Sequence, residues 1–554
     1  MNRLLAFSLC IVLSCSFTLA QAGELMTPDA MSQLGLEQAW ARHVHVPAGA
    51  QSIRDQQLFV HQKNPHEYVA IVTTQPAAAA AAPGATADAA GGGSTFEPKT
   101  LVRIPTNRIG INGAEIGRKE AERLASNEIR RLKRRGIDAE MKIITSPRVN
   151  LYTVGSDGIL ECRNAESGAP IWIAAVGSPS LPFANLGVDE EYVTVVNGAN
   201  LIQVDAKNGE IIEEVQTLGA PAFGALNSGH YALIPIIGGS VEGYPLYDPT
   251  RLPFKERVTG TTLAMPTKSP DSSKTAWGTS RGFVYVMELQ GEPSVQFRLD
   301  TDGIVSGRIA SASGNRFFFG SESGQVYGIR ATRHGEVLWS QPFGEPFYHE
   351  PLVYDNQLLL RSSYGNLFSI DVENGLQTWE QSMPNVGNLL GILNGQIYAT
   401  TLSGGLIVLD LKNGKKVANF NNIRPEHFIV NNLTDRLYLV SNDGDVQCLK
   451  VEAADLPTLN SQIDPKSSKS AVNTNTPKAS EQAMQPNGND PFGAAAKQDP
   501  FGAGSNKNPF GGGNDGGAAA PADPFGDGGA KGADPFGGGA GGGEMADPFG
   551  GSPF

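Results

Sequence analysis

Eight turns, headed by Gly158, Ala199, Gly239, Gly282, Gly324, Gly365, Gly404 and Gly444, follow one another at intervals of 39–43 residues. Spacing that regular means one supersecondary unit repeated, each copy burying its apolar face only against its neighbours. The unit is built of strands. Alternating runs such as 150–154, 316–319 and 436–440 lead into the turn, a second alternating run follows, then an Asx-Gly turn, then a third run ending near a large side chain. A fourth run, such as 304–309 or 391–393, precedes the first. Four short strands per unit with no intervening helix is the pattern of a β-propeller blade, and the period of two excludes helical solenoids. The expected fold is all-β: an eight-bladed β-propeller with an inserted helix and a long disordered C-terminal tail.

Tryptophans support the repeat. Trp172, Trp339 and Trp379 each lie four residues after the glycine of the Asx-Gly turn (Gly168, Gly335, Gly375), which places the same ring on the outer strand of three blades, over a seam. The last unit ends near Lys450 without an outer strand, whereas "GLEQAWARHV" from Gly35 reads as an orphan outer strand carrying Trp40 in the matching place. The N-terminus is therefore expected to complete the last blade and remove the exposed sheet edges. Residues 49–72 read as further strands, either a ninth blade or a hairpin outside the ring.

The repeats, most clearly "LIQVDAKNGE" at Leu201 and "LFSIDVENGLQTW" at Leu367, resemble the pyrroloquinoline-quinone-type (PQQ-like) propeller repeat. The resemblance covers roughly residues 141–451 and extends to 35–73. It implies the fold and leaves function open, because the same repeat serves redox enzymes and scaffolds. Its exported, non-enzymatic members are periplasmic scaffolds of outer-membrane assembly, which implies envelope proteins as partners. Its quinone dehydrogenases imply a calcium ion, a tryptophan floor, a catalytic aspartate and often paired cysteines. No such set is recognisable residue by residue. Asp300 with Asp302, and Asp443 with Asp445, only faintly resemble calcium loops, which need six or more oxygen ligands. His43 and His45 share a strand face without a third ligand, and no phosphate-binding loop opens a helix. No residue is assigned to catalysis, cofactor or metal; an oxidoreductase on the same fold is the alternative reading.

Composition divides the chain into six zones. Residues 1–22 carry Arg3, an apolar run and Ala20-Gln21-Ala22, as in a cleaved signal peptide. A lipid anchor at Cys15 competes with that cleavage site. Export to the periplasm or to the outer-membrane surface is expected, with no later segment apolar enough to span a bilayer. Residues 23–75 are read as N-terminal strands closing the propeller, 76–98 as an Ala/Gly-rich linker, 99–140 as an inserted helical segment, 141–454 as the repeats and 455–554 as the tail. A net charge of −13 argues against a nucleic-acid binder, which needs a basic field to displace phosphate counterions.

The insert and the tail stand apart from the repeats. Asn112 and Glu115 read as the cap of a helix running to Arg135, with Ala121, Leu124, Ala125, Ile129 and Leu132 in one stripe. Its end, Arg130, Arg131, Lys133, Arg134 and Arg135, either complements the helix C-terminus as a solvated face or contacts an anionic surface or acidic partner. The tail repeats Asp-Pro-Phe-Gly and close variants, presenting Phe492, Phe501, Phe510, Phe525, Phe536, Phe549 and Phe554 at uneven intervals. Seven phenylalanines, each worth roughly 2–3 kcal/mol if buried, do not offset the cost of ordering about a hundred residues at roughly 1–2 kcal/mol each. The tail reads as hooks on a string, gaining through multivalency, or as a plain spacer. The chain as a whole reads as a noncatalytic exported scaffold for protein–protein interaction in the bacterial cell envelope.

Overall fold

A computed structural model describes residues 25–45, 49–74, 99–108, 115–248, 250–425, 427–454 and 456–460. The presequence with Cys15, the linker 76–98, Asn112 and the seven tail phenylalanines lie outside the described residues.

The described strands form eight antiparallel sheets, taken here as the first to the eighth along the chain. Strands β1 (Leu36–His43), β2 (Ile53–Thr73), β3 (Thr100–Pro105), β4 (Ala139–Gly155), β5 (Ile159–Asn164) and β6 (Pro170–Ala175) come first along the chain. The first sheet has the order β3-β2-β4-β5-β6. The second to fifth sheets and the seventh each lay four strands side by side in sequence order. The eighth takes its outer strand from the other end of the chain: β1 pairs with Asp445–Val451, Leu36 opposite Val451 and His43 opposite Asp445.

Side-chain packing closes these sheets into a ring. Strand alternation turns the apolar residues of each sheet to both faces, and each face meets its neighbour. Val154 and Leu160 of the first sheet pack with Val193 and Val204 of the second. Equivalent clusters join second to third, third to fourth, fourth to fifth, fifth to sixth and sixth to seventh. Leu406 and Val408 of the seventh pack with Leu437 and Leu449 of the eighth, and Val446 of the eighth with Leu58 and Leu151 of the first. The protein is a β-propeller. A short helix, α1 (Pro28–Gln33), capped by the Thr27 hydroxyl, seals the seventh seam with Ala30 and Met31.

Several expectations are corrected. Residues 49–72 form neither a ninth blade nor a separate hairpin. Ile53–His61 of β2 is the innermost strand of the first sheet, paired with Arg148–Gly155, and His66–Thr73 then runs on beside Ala139–Ser146 as an arm. Between the two stretches the register shifts, and Glu190 of the second sheet grips the root: the Gln62 amide donates to its Oε1 at 2.6 Å, and His61 Nδ1 lies 3.1 Å from its Oε2. The insert is not purely helical, because β3 adds to the arm beside β2. Its helix, α2 (Gly117–Arg134), starts after Ile116 with no side-chain cap, so the Asn112–Glu115 cap does not set its start. The stripe of α2 packs on Val69, Ile71 and Ile104 in a small core of its own. Trp379 lies outside any regular strand: the sixth sheet keeps three strands, and its outer edge is reduced to bridges at Met383 and Gln377. No described helix is long and apolar enough to cross a membrane.

Candidate interaction site

The four tryptophans hold seams by one geometry. Trp40 donates from Nε1 to the Ala165 carbonyl at 2.9 Å, Trp172 to Ala206 at 3.0 Å, Trp339 to Val372 at 2.8 Å and Trp379 to Leu411 at 3.1 Å. Each acceptor belongs to the following sheet, just after its third strand. Beyond that carbonyl the chain turns through a glycine lying flat on the ring. A Cβ on Gly168, Gly209, Gly375 or Gly414 would come within 2.5 Å of Trp40, Trp172, Trp339 or Trp379 respectively. All four glycines have φ between 67° and 77°, so backbone and ring both require glycine. The fourth sheet substitutes Phe297 against Gly335.

Other residues singled out in the sequence have local partners. His43 Nδ1 lies 3.2 Å from Asp445 Oδ1, while His45 Nε2 is 3.7 Å from Asp157 Oδ2, so the two histidines face different acids. Asp302 accepts from the Tyr327 hydroxyl at 2.9 Å. Asp443 and Asp300 lie in or beside turns. The buried thiols of Cys162 and Cys448 are both pushed up by burial, Cys162 to about 12.

The innermost strands surround a central cavity of about 570 Å³, to which every sheet contributes: Leu58, Val188, Leu226, Thr267, Ala310, Leu352, Leu389 and Ile429, from first to eighth. At one mouth stand Asp55, Arg308, His349, Glu350 and Arg361. Arg308 Nη1 is 3.7 Å from Glu350 Oε2 and its Nε donates to Thr267 at 3.2 Å, while Asp55 accepts from the Leu186 amide at 2.7 Å. Water reaches Glu350 through the lumen, yet protein surrounds it. Desolvation raises its pKa and that of Asp55, with the Arg308 charge partly opposing both. Desolvation lowers His349 and Arg361, which touch each other, and the Arg361 charge lowers His349 further. The lining does not match a calcium–quinone set. Its two carboxylates are engaged with Arg308 and a backbone amide, and the seam tryptophans and the fully buried Trp277 lie outside the lumen. No described cluster of three or more His, Cys, Asp or Glu side chains has metal-binding geometry.

Antiparallel order fixes which connections share a face of the ring. Links between second and third strands, and those from one sheet to the next, emerge beside the charged mouth. Large apolar side chains stand exposed there: Leu218 at 69%, Ile237 and Tyr364 at 65%, and also Leu181, Ile304, Tyr348 and Leu402. The loop after Pro245 lies on the opposite side, between third and fourth strands of its sheet. The sequence reading missed the apolar residues, though a signal exists. Ile237 and Leu402 occupy a turn position that holds Ser156, Asn197, Ser280, Glu322, Ser363 or Asn442 in the other copies.

A family model described as outer membrane protein assembly factor BamB matches residues 269–455. The BamB of Shewanella oneidensis is 23% identical over 161 residues, which cover 26% of this chain and 40% of that protein. The chain thus matches less than half the length of that relative. Among solved structures, BamB from Moraxella catarrhalis is 17% identical, aligned over 55% of this chain and 92% of that one, with a TM-score of 0.44. The dihydro-heme d1 dehydrogenase NirN is 14% identical over 50% of this chain and 64% of that one, with a TM-score of 0.39. The assignment of fold rests on the ring of sheets, and that of the repeat on the matched sequence: this is a β-propeller protein of PQQ-like, BamB-like repeats.

Proposed function

We propose that the protein is a noncatalytic, exported scaffold that binds proteins of the outer-membrane assembly machinery through the propeller face around the charged mouth. The observation that carries this reading is the set of exposed apolar side chains on that face, with Ile237, Tyr364 and Leu402 at turn positions that are polar or glycine in the other copies and Leu218 in a link between sheets. Apolar anchors rimmed by polar groups mark protein contact sites on monomers. The similarity of residues 269–455 to an assembly factor supports the class of partner. In this reading the tail phenylalanines, Phe492 to Phe554, are secondary hooks that lengthen the scaffold's reach.

The test is affinity capture from envelope extract with three full chains: wild type, the fourfold variant L218S/I237S/Y364S/L402S, and a chain with all seven tail phenylalanines changed to alanine. Recovery of outer-membrane assembly proteins by wild type, lost in the fourfold variant and reduced in the tail variant, is expected. Equal recovery by the fourfold variant would remove the face from the reading, and failure of wild type to recover any such protein would end it. Added calcium and pyrroloquinoline quinone should produce neither a new absorbance band nor dye reduction.

A further inference from the structure

We propose that the tip of the arm is a docking surface for an anionic phospholipid bilayer. The inference stands on the arm alone and does not depend on the scaffold reading.

The register locates the tip. At the root, Arg118 Nη1 lies 3.5 Å from Glu67, and the Gly117 amide donates to Thr106, so α2 begins beside the ring. At the far end, Thr73 pairs with Ala139 and the Thr74 amide donates to the Asp138 carbonyl, so α2 ends at the outer limit of the hairpin. Eighteen residues of helix rise about 27 Å, matching eight residues of strand at about 3.3 Å each. The C-terminus of α2 is thus carried to the point of the arm farthest from the propeller.

What stands there is basic and apolar together. Residues 129–137 hold Arg130, Arg131, Lys133, Arg134 and Arg135 and no acid, and the exposed acids that follow at the tip, Asp138 and Glu140, leave the cations in excess, in a chain whose net charge is −13. All five side chains are exposed. Arg131 meets Glu128 at 3.2 Å and Arg130 meets Asn127 at 2.9 Å, both on α2 itself. Lys133, Arg134 and Arg135 make no ion pair among the described residues. Complementing the helix C-terminus takes one or two cations in the last turn, so five exceed that need. Beside them Ile137 and Met141 are exposed at 38% and 41%, and Ile143, opposite Val69 farther back along the arm, at 38%. Long basic stems around apolar tips are what a headgroup layer takes, the cations at phosphate level and the aliphatic groups just below. A protruding tip with diffuse charge fits a plane, whereas an acidic protein would call for fixed, directional partners.

The experiment is flotation of the full chain with phosphatidylcholine vesicles, with or without phosphatidylglycerol. A preference for the anionic vesicles of at least about tenfold is expected, from several cations each contributing near the surface, and it should fall as salt shortens the screening length. The variant R130Q/R131Q/K133Q/R134Q/R135Q should lose the preference. Exchange of the four arginines for lysine should keep it, and I137S/M141S should weaken it. Circular dichroism and melting temperature establish that each variant is folded. Equal partition of wild type into both vesicles, as an acyl anchor alone would produce, overturns the proposal, as does an undiminished preference in the five-glutamine variant. Binding to a polyglutamate peptide without binding to anionic vesicles also overturns it and places an acidic protein at the tip.

Discussion

The ring and the arm begin on the same two strands and are stabilised in different ways. Within the ring, every sheet packs on both neighbours, and at four of the seams one clasp repeats: a third-strand carbonyl, a left-handed glycine and a tryptophan from the sheet before. The arm has one small core, Val69, Ile71 and Ile104 against Ala121, Ala125 and Leu132, separate from the other core clusters of the described residues. The lesson is that a closed ring shares stability among its seams, whereas an appendage of the same chain holds itself up and is free to present its end to something else.

The strongest way to break this comparison is at a seam. Trp339→Ala removes a ring that is 7% exposed together with its bond to Val372, and is expected to cost roughly 3–5 kcal/mol in urea unfolding. The equivalent loss in the arm, Leu132→Ala, should leave the main melting transition in place and raise amide exchange only in α2 and β3. A shift of the main transition as large as that of Trp339→Ala would mean that ring and arm are one cooperative unit.

A smaller effect separates the clasp from its glycine. Gly209→Ala places a methyl on Trp172 at a φ of 77°, while Gly395→Ala has a φ of 68° and nothing within 4 Å. Left-handed strain alone costs roughly 1–3 kcal/mol, so the excess of Gly209→Ala over Gly395→Ala measures the seam contact. Equal destabilisation would show that the glycine serves only its turn. Smaller again is the replacement of residues 66–146 by a short turn, which should leave the melting temperature of the ring within about 4 °C, because no seam is touched.

The smallest effect lies in the lumen. Burial raises the folded pKa of Glu350 above its ordinary 4.5, so its contribution is fully present below that value and is lost as pH rises through the folded pKa. The stability of wild type relative to Glu350→Gln should therefore fall as pH climbs from about 4 and level off once the folded pKa is passed. Asp55 titrates in both proteins and cancels. A flat difference across that range would show that Arg308 compensates the burial completely.

Much of the ring is legible in the residues. The 39–43-residue interval, the alternation and the Asx-Gly turns reflect local geometry, and local geometry is written where it acts. Trp40 on an orphan strand signalled closure because a last unit lacking its outer strand leaves a place to fill. The long run from 49 to 72 was harder. Its alternation identifies strand but not partner, and Glu190, which fixes where ring ends and arm begins, stands 128 residues from Gln62. Asn112 and Glu115 satisfy a capping pattern, yet α2 starts at Gly117, whose amide donates to the Thr106 carbonyl just past β3.

Sequence alone determined the repeat, the turn chemistry and the recurrence of a tryptophan four residues after the Asx-Gly turn in three units, since these depend on neighbours within a few residues. Tertiary structure decided what each of them is for. In the sequence a tryptophan follows the glycine of its own repeat by four residues, but in space it rests on the glycine of the next repeat. It also decided which exposed apolar residues share a face, which charges meet across the lumen, and that five cations stand at the end of an arm. Those arrangements depend on the closure of the ring and the register of a hairpin, and pairings so far apart in the chain leave no local periodicity to read.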